Sequence, residues 1–119
     1  MRAGRQRLGT RRTHAIARIW RARTELQRAG AYETLLRTEV FPTLRHIEGF
    51  AGGDLLRHES GPEVEFAVIT SFESLDALRR FAGDDAEQAI VSTRVGQLLS
   101  RFDSRCRHFE LIARAAVKV

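Results

Sequence analysis

Residues Glu63 to Phe81 read EVEFAVITSFESLDALRRF, and the change of period inside this stretch decides the fold. Val64, Phe66, Val68, Thr70 and Phe72 alternate with Glu65, Ala67, Ile69 and Ser71. That is the two-residue period of a pleated strand with one strongly apolar face. At Ser74 the period lengthens, and Leu75, Leu78 and Ala82 fall on one face of a helix. Ser74 offers its hydroxyl to the unpaired amides of the first turn, and Asp76 sets a negative charge at the positive end of the helix dipole. A buried strand thus runs straight into an amphipathic helix.

Working outward, Phe50 to Ser60, FAGGDLLRHES, is expected to be a strand in which Gly52-Gly53 marks a bulge or a tight bend. Gly61-Pro62 is a turn that joins it to the following strand as a hairpin. Upstream, Tyr32, Leu35, Leu36, Val40, Leu44 and Ile47 keep helical spacing from Ala31 onward, with Glu33, Arg37, Glu39 and Arg45 on the wet side. Pro42 should kink that helix or divide it near Val40, and Gly49 closes it. His14 to Arg23, HAIARIWRAR, places Ile16, Arg18, Trp20 and Ala22 on one face of a first strand. Downstream, a short helix is expected over Ala86 to Val91, a helical turn over Gln97 to Phe102, and a final strand over Arg105 to Ile112.

The resulting order is strand, helix, strand, strand, helix, strand. This predicts an α+β fold of the ferredoxin-like, split βαβ kind, an antiparallel sheet with helices on one face. Alternation is then expected to leave Trp20, Leu56 and either Phe66 or Phe109 on the uncovered side. An apolar open face calls for a partner, so a homodimer through the sheet faces is expected.

At 119 residues the chain is one domain. Residues 14–113 are read as that domain, 114–119 as a short tail and 1–13 as a basic, disordered leader. Arg2, Arg5, Arg7, Arg11 and Arg12 carry five positive charges in a segment without an acid, and removing them leaves 15 basic against 15 acidic residues. The net charge of +5 therefore belongs to the leader, whose composition cannot support a core, and no nucleic-acid partner is expected. No apolar run approaches the roughly 20 residues that span a bilayer, so no membrane association is expected. A single cysteine, Cys106, rules out an internal disulfide and suits a reducing cytoplasm. His58-Glu59 and His108-x-Glu110 supply two ligands each with no third at a closing spacing, so no metal site is expected. Gly49, Gly52 and Gly53 precede a strand and make no phosphate loop.

Four segments taken together, ARIWR at Ala17 to Arg21, FPTLRHIEGFAGGDLLR at Phe41 to Arg57, VEFAVITSFESLDALRRFAG at Val64 to Gly83 and RHFEL at Arg107 to Leu111, carry a resemblance. The chain resembles the antibiotic biosynthesis monooxygenase domain family of dimeric α/β barrels over about Thr13 to Ile112. The resemblance implies a homodimer with pockets between sheet and helices. It also implies one of several functions: cofactor-free oxygenation of electron-rich aromatic substrates, haem degradation, or a role in stress or signalling.

Haem degradation in relatives of this fold uses an asparagine, a tryptophan and a histidine. This chain contains no asparagine, has Phe72 where relatives often carry tryptophan, and has no histidine on the following helix. Oxygenation without a cofactor asks for an aromatic plate to be bound, its anion stabilised and a proton taken. Trp20, Phe66 and Phe72 are the candidate walls, Arg18 or Arg57 the oxyanion partner, and His58 or His108 the base. The expected function is a cofactor-independent monooxygenase acting on an aromatic polyketide or quinol-type small molecule. The alternative is a non-catalytic dimer that binds a small ligand or serves in stress.

Overall fold

The central hairpin is the backbone of the molecule. β2, Phe50–Ser60, and β3, Glu63–Phe72, pair antiparallel through the turn at Gly61, whose φ of 65° suits glycine. On its other side β3 pairs with β1, Ile16–Glu25, so that Ile16 stands opposite Phe72 and Glu25 opposite Glu63. The outer edge of β1 carries two short strands in succession. β4, Arg101–Phe102, lies against Ala22 and Arg23, and β5, Arg107–Glu110, against Ile16 to Ile19. The spatial order β2-β3-β1-β4, with β5 prolonging β4, is the ferredoxin-like order. This computed structural model describes residues 14–118. The basic leader assigned to residues 1–13 lies outside the described residues.

The expected final strand shrinks to Arg107–Glu110, because the backbone leaves the ladder between Phe102 and Arg107. In that gap the Asp103 carbonyl accepts the indole N–H of Trp20 at 2.6 Å, and Arg105 bridges to Gln88. The bulge expected at Gly52-Gly53 is present as a register shift between Phe50 and Gly52.

A single 3₁₀ turn, Leu26–Arg28, leads from β1 into α1, Ala29–Leu35. The helix is not divided at Pro42. Leu36–Val40 form a π turn, in which the Phe41 amide reaches back five residues to the Leu36 carbonyl, before α2, Phe41–Leu44, resumes. The Thr43 hydroxyl donates to the Glu39 carbonyl at 2.7 Å, close to the place where Pro42 has no N–H to give. α3, Leu75–Ala82, begins as the sequence predicts, with Ser74 Oγ accepting from the Ala77 amide at 3.1 Å.

The helix expected over Ala86 to Val91 does not form. Asp85 is instead engaged by Arg105 through two hydrogen bonds, and the Ala89 amide donates to the Ser104 carbonyl. The helix lies later: α4 is Thr93–Leu98, capped by Ser92 Oγ accepting from Val95 N at 3.2 Å. Gln97 to Phe102 accordingly divides between the end of α4 and β4, and Phe102 packs its ring against Trp20.

All helices lie on one face of the sheet. That face collects Ile16, Arg18, Trp20, Ala22 and Thr24 of β1 and the even-numbered residues of β3. Trp20 therefore corrects the sequence expectation. It shares the side of Ala22 and Phe66, both buried under the helices, and so it faces inward. Phe66 faces inward too, whereas Leu56 and Phe109 stand on the open face and are 51% and 43% exposed. Ala17, Ile19, Ala67 and Ile69 share that open face, half-buried. Two core clusters hold the helices down: Phe66 and Val64 with Tyr32, Leu35 and Leu36, and Phe72 with Ala77, Leu78 and Ala82. No helix among the described residues is long and apolar enough to cross a membrane.

Candidate functional site

Between the two clusters the helices stand off from the sheet and leave a cavity of about 320 Å³. Its floor is Arg18, Trp20, Val68 and Thr70 of β1 and β3. Its opposite wall comes from α1, the π turn and α2, including Tyr32, Leu36 and Val40, and its rim from the segment that carries Ile90 and Arg94. The size is at the lower end of the range for small-molecule sites, roughly 300–1,000 Å³, and the mostly apolar lining with a few polar groups is their usual composition. The π turn matters here, because it swings both Glu39 and Val40 onto the wall.

Arg18 is the dominant charge. Only 4% of it is exposed. Its guanidinium donates to the Ala86 carbonyl, to the Gln88 carbonyl at 2.8 Å and to His108 Nε2 at 3.1 Å, and it lies 5.5 Å from the centre of the Phe81 ring. Among the described residues no carboxylate pairs with it. Burial lowers its pKa from the usual arginine value, although a guanidinium remains charged at any physiological pH. A buried cation without an anion is costly to keep in a folded chain.

His108 stands beside Arg18 and does not line the cavity. A guanidinium only donates, so Nε2 must accept and the imidazole must be neutral. Desolvation first, and the Arg18 charge second, push its pKa below the ordinary histidine value. Cys106 lines the cavity, 4% exposed, with its thiol pushed up mainly by burial, which keeps it protonated and a poor nucleophile.

Tyr32 is the polar group that sequence reading missed. It is fully buried, its ring lies 4.8 Å from that of Phe66, and its hydroxyl has no hydrogen-bond partner among the described residues. Desolvation raises its pKa, so it is a neutral phenol. The signal was present in the sequence as the single tyrosine of an otherwise aliphatic helix stripe, read there as core. At the rim Arg94 grips Glu39 through both carboxylate oxygens.

The remaining candidates separate. Phe66 and Phe72 are buried but do not line the cavity, since the helices cover them. Phe72 instead backs it, stacked at 5.9 Å on Phe81, the ring under Arg18. Arg57 points to the helix side but is held by Glu33 and Glu59 away from the cavity. His58 pairs in register with Glu65 on the open face, so parity alone keeps it from the cavity. Glu110 is engaged by His14, and no group of three His, Cys, Asp or Glu able to hold a metal occurs among the described residues.

The fold has solved counterparts. A Bacillus cereus protein that carries the provisional name antibiotic biosynthesis monooxygenase superposes with a TM-score of 0.64 at 12% identity, over 89% of this chain and 99% of that one. Its fold is that of the antibiotic biosynthesis monooxygenase-like proteins. SnoaB from Streptomyces nogalater, named a cofactor-independent oxygenase, matches over 87% of this chain and 97% of its own, with a TM-score of 0.54 and 16% identity. A Nitrosomonas europaea protein of unknown function matches at 0.64 and 17% over 91% and 99%. No family model and no curated protein matches the sequence.

Proposed function

We propose that the protein is a cofactor-independent monooxygenase that oxidises a flat aromatic polyketide or quinol-type molecule with O₂. The observation that carries this reading is Arg18, a buried guanidinium that no carboxylate among the described residues pairs with, at the floor of an apolar cavity. A phenol or enol bound there would pass its proton to solvent water and be held as its anion, which lowers the cost of giving an electron to O₂. Recombination of the substrate radical with superoxide forms a C–O bond, protonation gives a hydroperoxide, and loss of water leaves a carbonyl. The substrate supplies the electrons, so the protein needs only to bind, ionise and shield it. His108, kept neutral and accepting from Arg18, positions the guanidinium. The name of SnoaB, a solved protein of the same fold, supports the choice of chemistry.

O₂ uptake with anthrone-type and dihydroquinone substrates tests the reading. It is expected to exceed the buffer rate and to fall at least tenfold, about 1.4 kcal/mol, in Arg18→Met. Uptake at the buffer rate with tight binding of the same molecules would leave the alternative, a non-catalytic ligand-binding dimer. In either case the open sheet face, with Ile19, Ile69, Leu56 and Phe109, is assigned to a second copy of the chain. The unpaired thiol of Cys106 fits a cytoplasmic setting.

A further inference from the structure

Arg94, at the start of α4, and Glu39, on the π turn, meet through both carboxylate oxygens at the rim of the cavity. Together with Leu35 they line the cavity on one side and, with Thr34, Thr38 and Gln97, an exposed groove of about 470 Å³ on the other. The ion pair is thus the partition between cavity and surface. Residues 90–94 reach it as a strap with two firm ends. At one end Arg18 donates to the Ala86 and Gln88 carbonyls, and the Ala89 amide donates to that of Ser104. At the other end Val95 is buried in the core, and Arg28 donates to the Gln97 carbonyl at 2.8 Å. Between these anchors no backbone hydrogen bond among the described residues ties the strap to another element. Val91 packs on the core and Ile90 is half exposed, so the charged pair is the polar tie that holds the strap at the rim.

We propose that residues 90–94 gate the cavity, with the Glu39–Arg94 pair as the latch. While the pair is made, the strap covers the mouth, and its separation lets a ligand pass. Both side chains are largely exposed, so the latch is weak and is screened by salt. A weak latch suits a gate, because it opens often and does not trap what the cavity holds. The gate regulates the site proposed above and so rests on that cavity being the ligand site, but it does not depend on the oxygen chemistry.

Cys106 reports opening without any substrate, because it is the one thiol of the chain, is buried and lines the cavity. The charges that act on it are those of Arg18, Asp103 and Arg105, so a change at Arg94 alters its access and leaves its reactivity alone. Alkylation by N-ethylmaleimide, a neutral reagent, is followed by mass spectrometry in low salt and in about 1 M salt, where the screening length falls to about 3 Å. In low salt Arg94→Gln should react about two- to fivefold faster than wild type, the range for loss of one exposed ion pair. Salt should bring wild type up to that rate and leave the variant unchanged. Exchange of the charges, Glu39→Arg with Arg94→Glu, should restore the slow rate. Ser74→Ala, which weakens the first turn of α3 outside the cavity lining, should react like wild type. Equal rates in wild type and Arg94→Gln, a wild-type rate indifferent to salt, a fast exchange variant, equal acceleration in Ser74→Ala, or no alkylation at all overturns the gate. Gated alkylation with O₂ uptake at the buffer rate would sustain the strap and remove the oxygenase reading. Ungated alkylation with O₂ uptake above that rate would do the reverse.

Discussion

Arg18, His108 and Tyr32 illustrate how single side chains here are set by what they cannot do. A guanidinium cannot accept, so His108 accepts and stays neutral in the folded state. Its folded pKa lies below the ordinary value near 6.5, so the unfolded chain takes up that proton first as pH falls. Stability supplied by neutral His108 is thus complete above about pH 6.5 and is lost as pH drops through that value toward the lower folded pKa. His108→Gln retains an acceptor and abolishes the titration. The gap in melting temperature between variant and wild type should move in favour of the variant between pH 7 and 5, and a constant gap would refute the neutral imidazole. Tyr32→Phe deletes an unpaired buried hydroxyl, and the free protein should gain on the order of 1 kcal/mol. A loss in chemical denaturation would reveal a partner for that hydroxyl. At this scale the residue types were legible in the sequence as candidates for charge and aromatic contact. Their company was not, since the carbonyls that hold Arg18 come from Ala86 and Gln88, 68 and 70 residues away.

Among the elements, the best-read unit is β3 with α3, because period, cap and first-turn acid agree within one short stretch. Ser74→Ala should cost about 1 kcal/mol by urea denaturation, the usual worth of such a cap. A change below a few tenths would mean that tertiary packing alone holds α3. The junction before it is tighter. Gly49 has a φ of 90°, and a Cβ there would lie 2.4 Å from that of Ala77. Gly49→Ala combines this overlap with a left-handed backbone, so a loss of roughly 2–4 kcal/mol is expected. Unchanged stability would mean that α3 can shift freely against the end of β2. The segment from Gly83 to Ser100 was misread for a physical reason. Its apolar residues, Ile90, Val91, Val95, Leu98 and Leu99, fit several registers, and Asp85, just before the expected helix, is drawn off by Arg105. Only the Ser92 cap distinguishes the true helix, α4.

For the molecule as a whole the open sheet face is the unresolved surface energy. Leu56 and Phe109 are half exposed beside Ile19 and Ile69, and a second sheet would cover all four. Sedimentation should give twice the 13.5 kDa chain mass at micromolar concentration. Leu56→Glu, which places a charge on that face without touching the core, should yield a folded monomer with unchanged far-ultraviolet circular dichroism. Wild-type protein sedimenting as a monomer would refute the assignment of this face.

Periodicity, caps and glycine positions determined the strands β1 to β3, the helix α3 and the antiparallel order, because these depend on neighbours within a few residues. Alternation also determined that Ile16, Arg18, Trp20 and Ala22 share a side of β1. It could not choose which side meets the helices, since a strand read by parity is symmetric until packing breaks the tie. Tertiary structure made that choice. By turning Trp20 and Arg18 inward it set a buried charge and an indole under the helices, on the cavity that Tyr32 also lines, and so created the site on which the functional proposal stands.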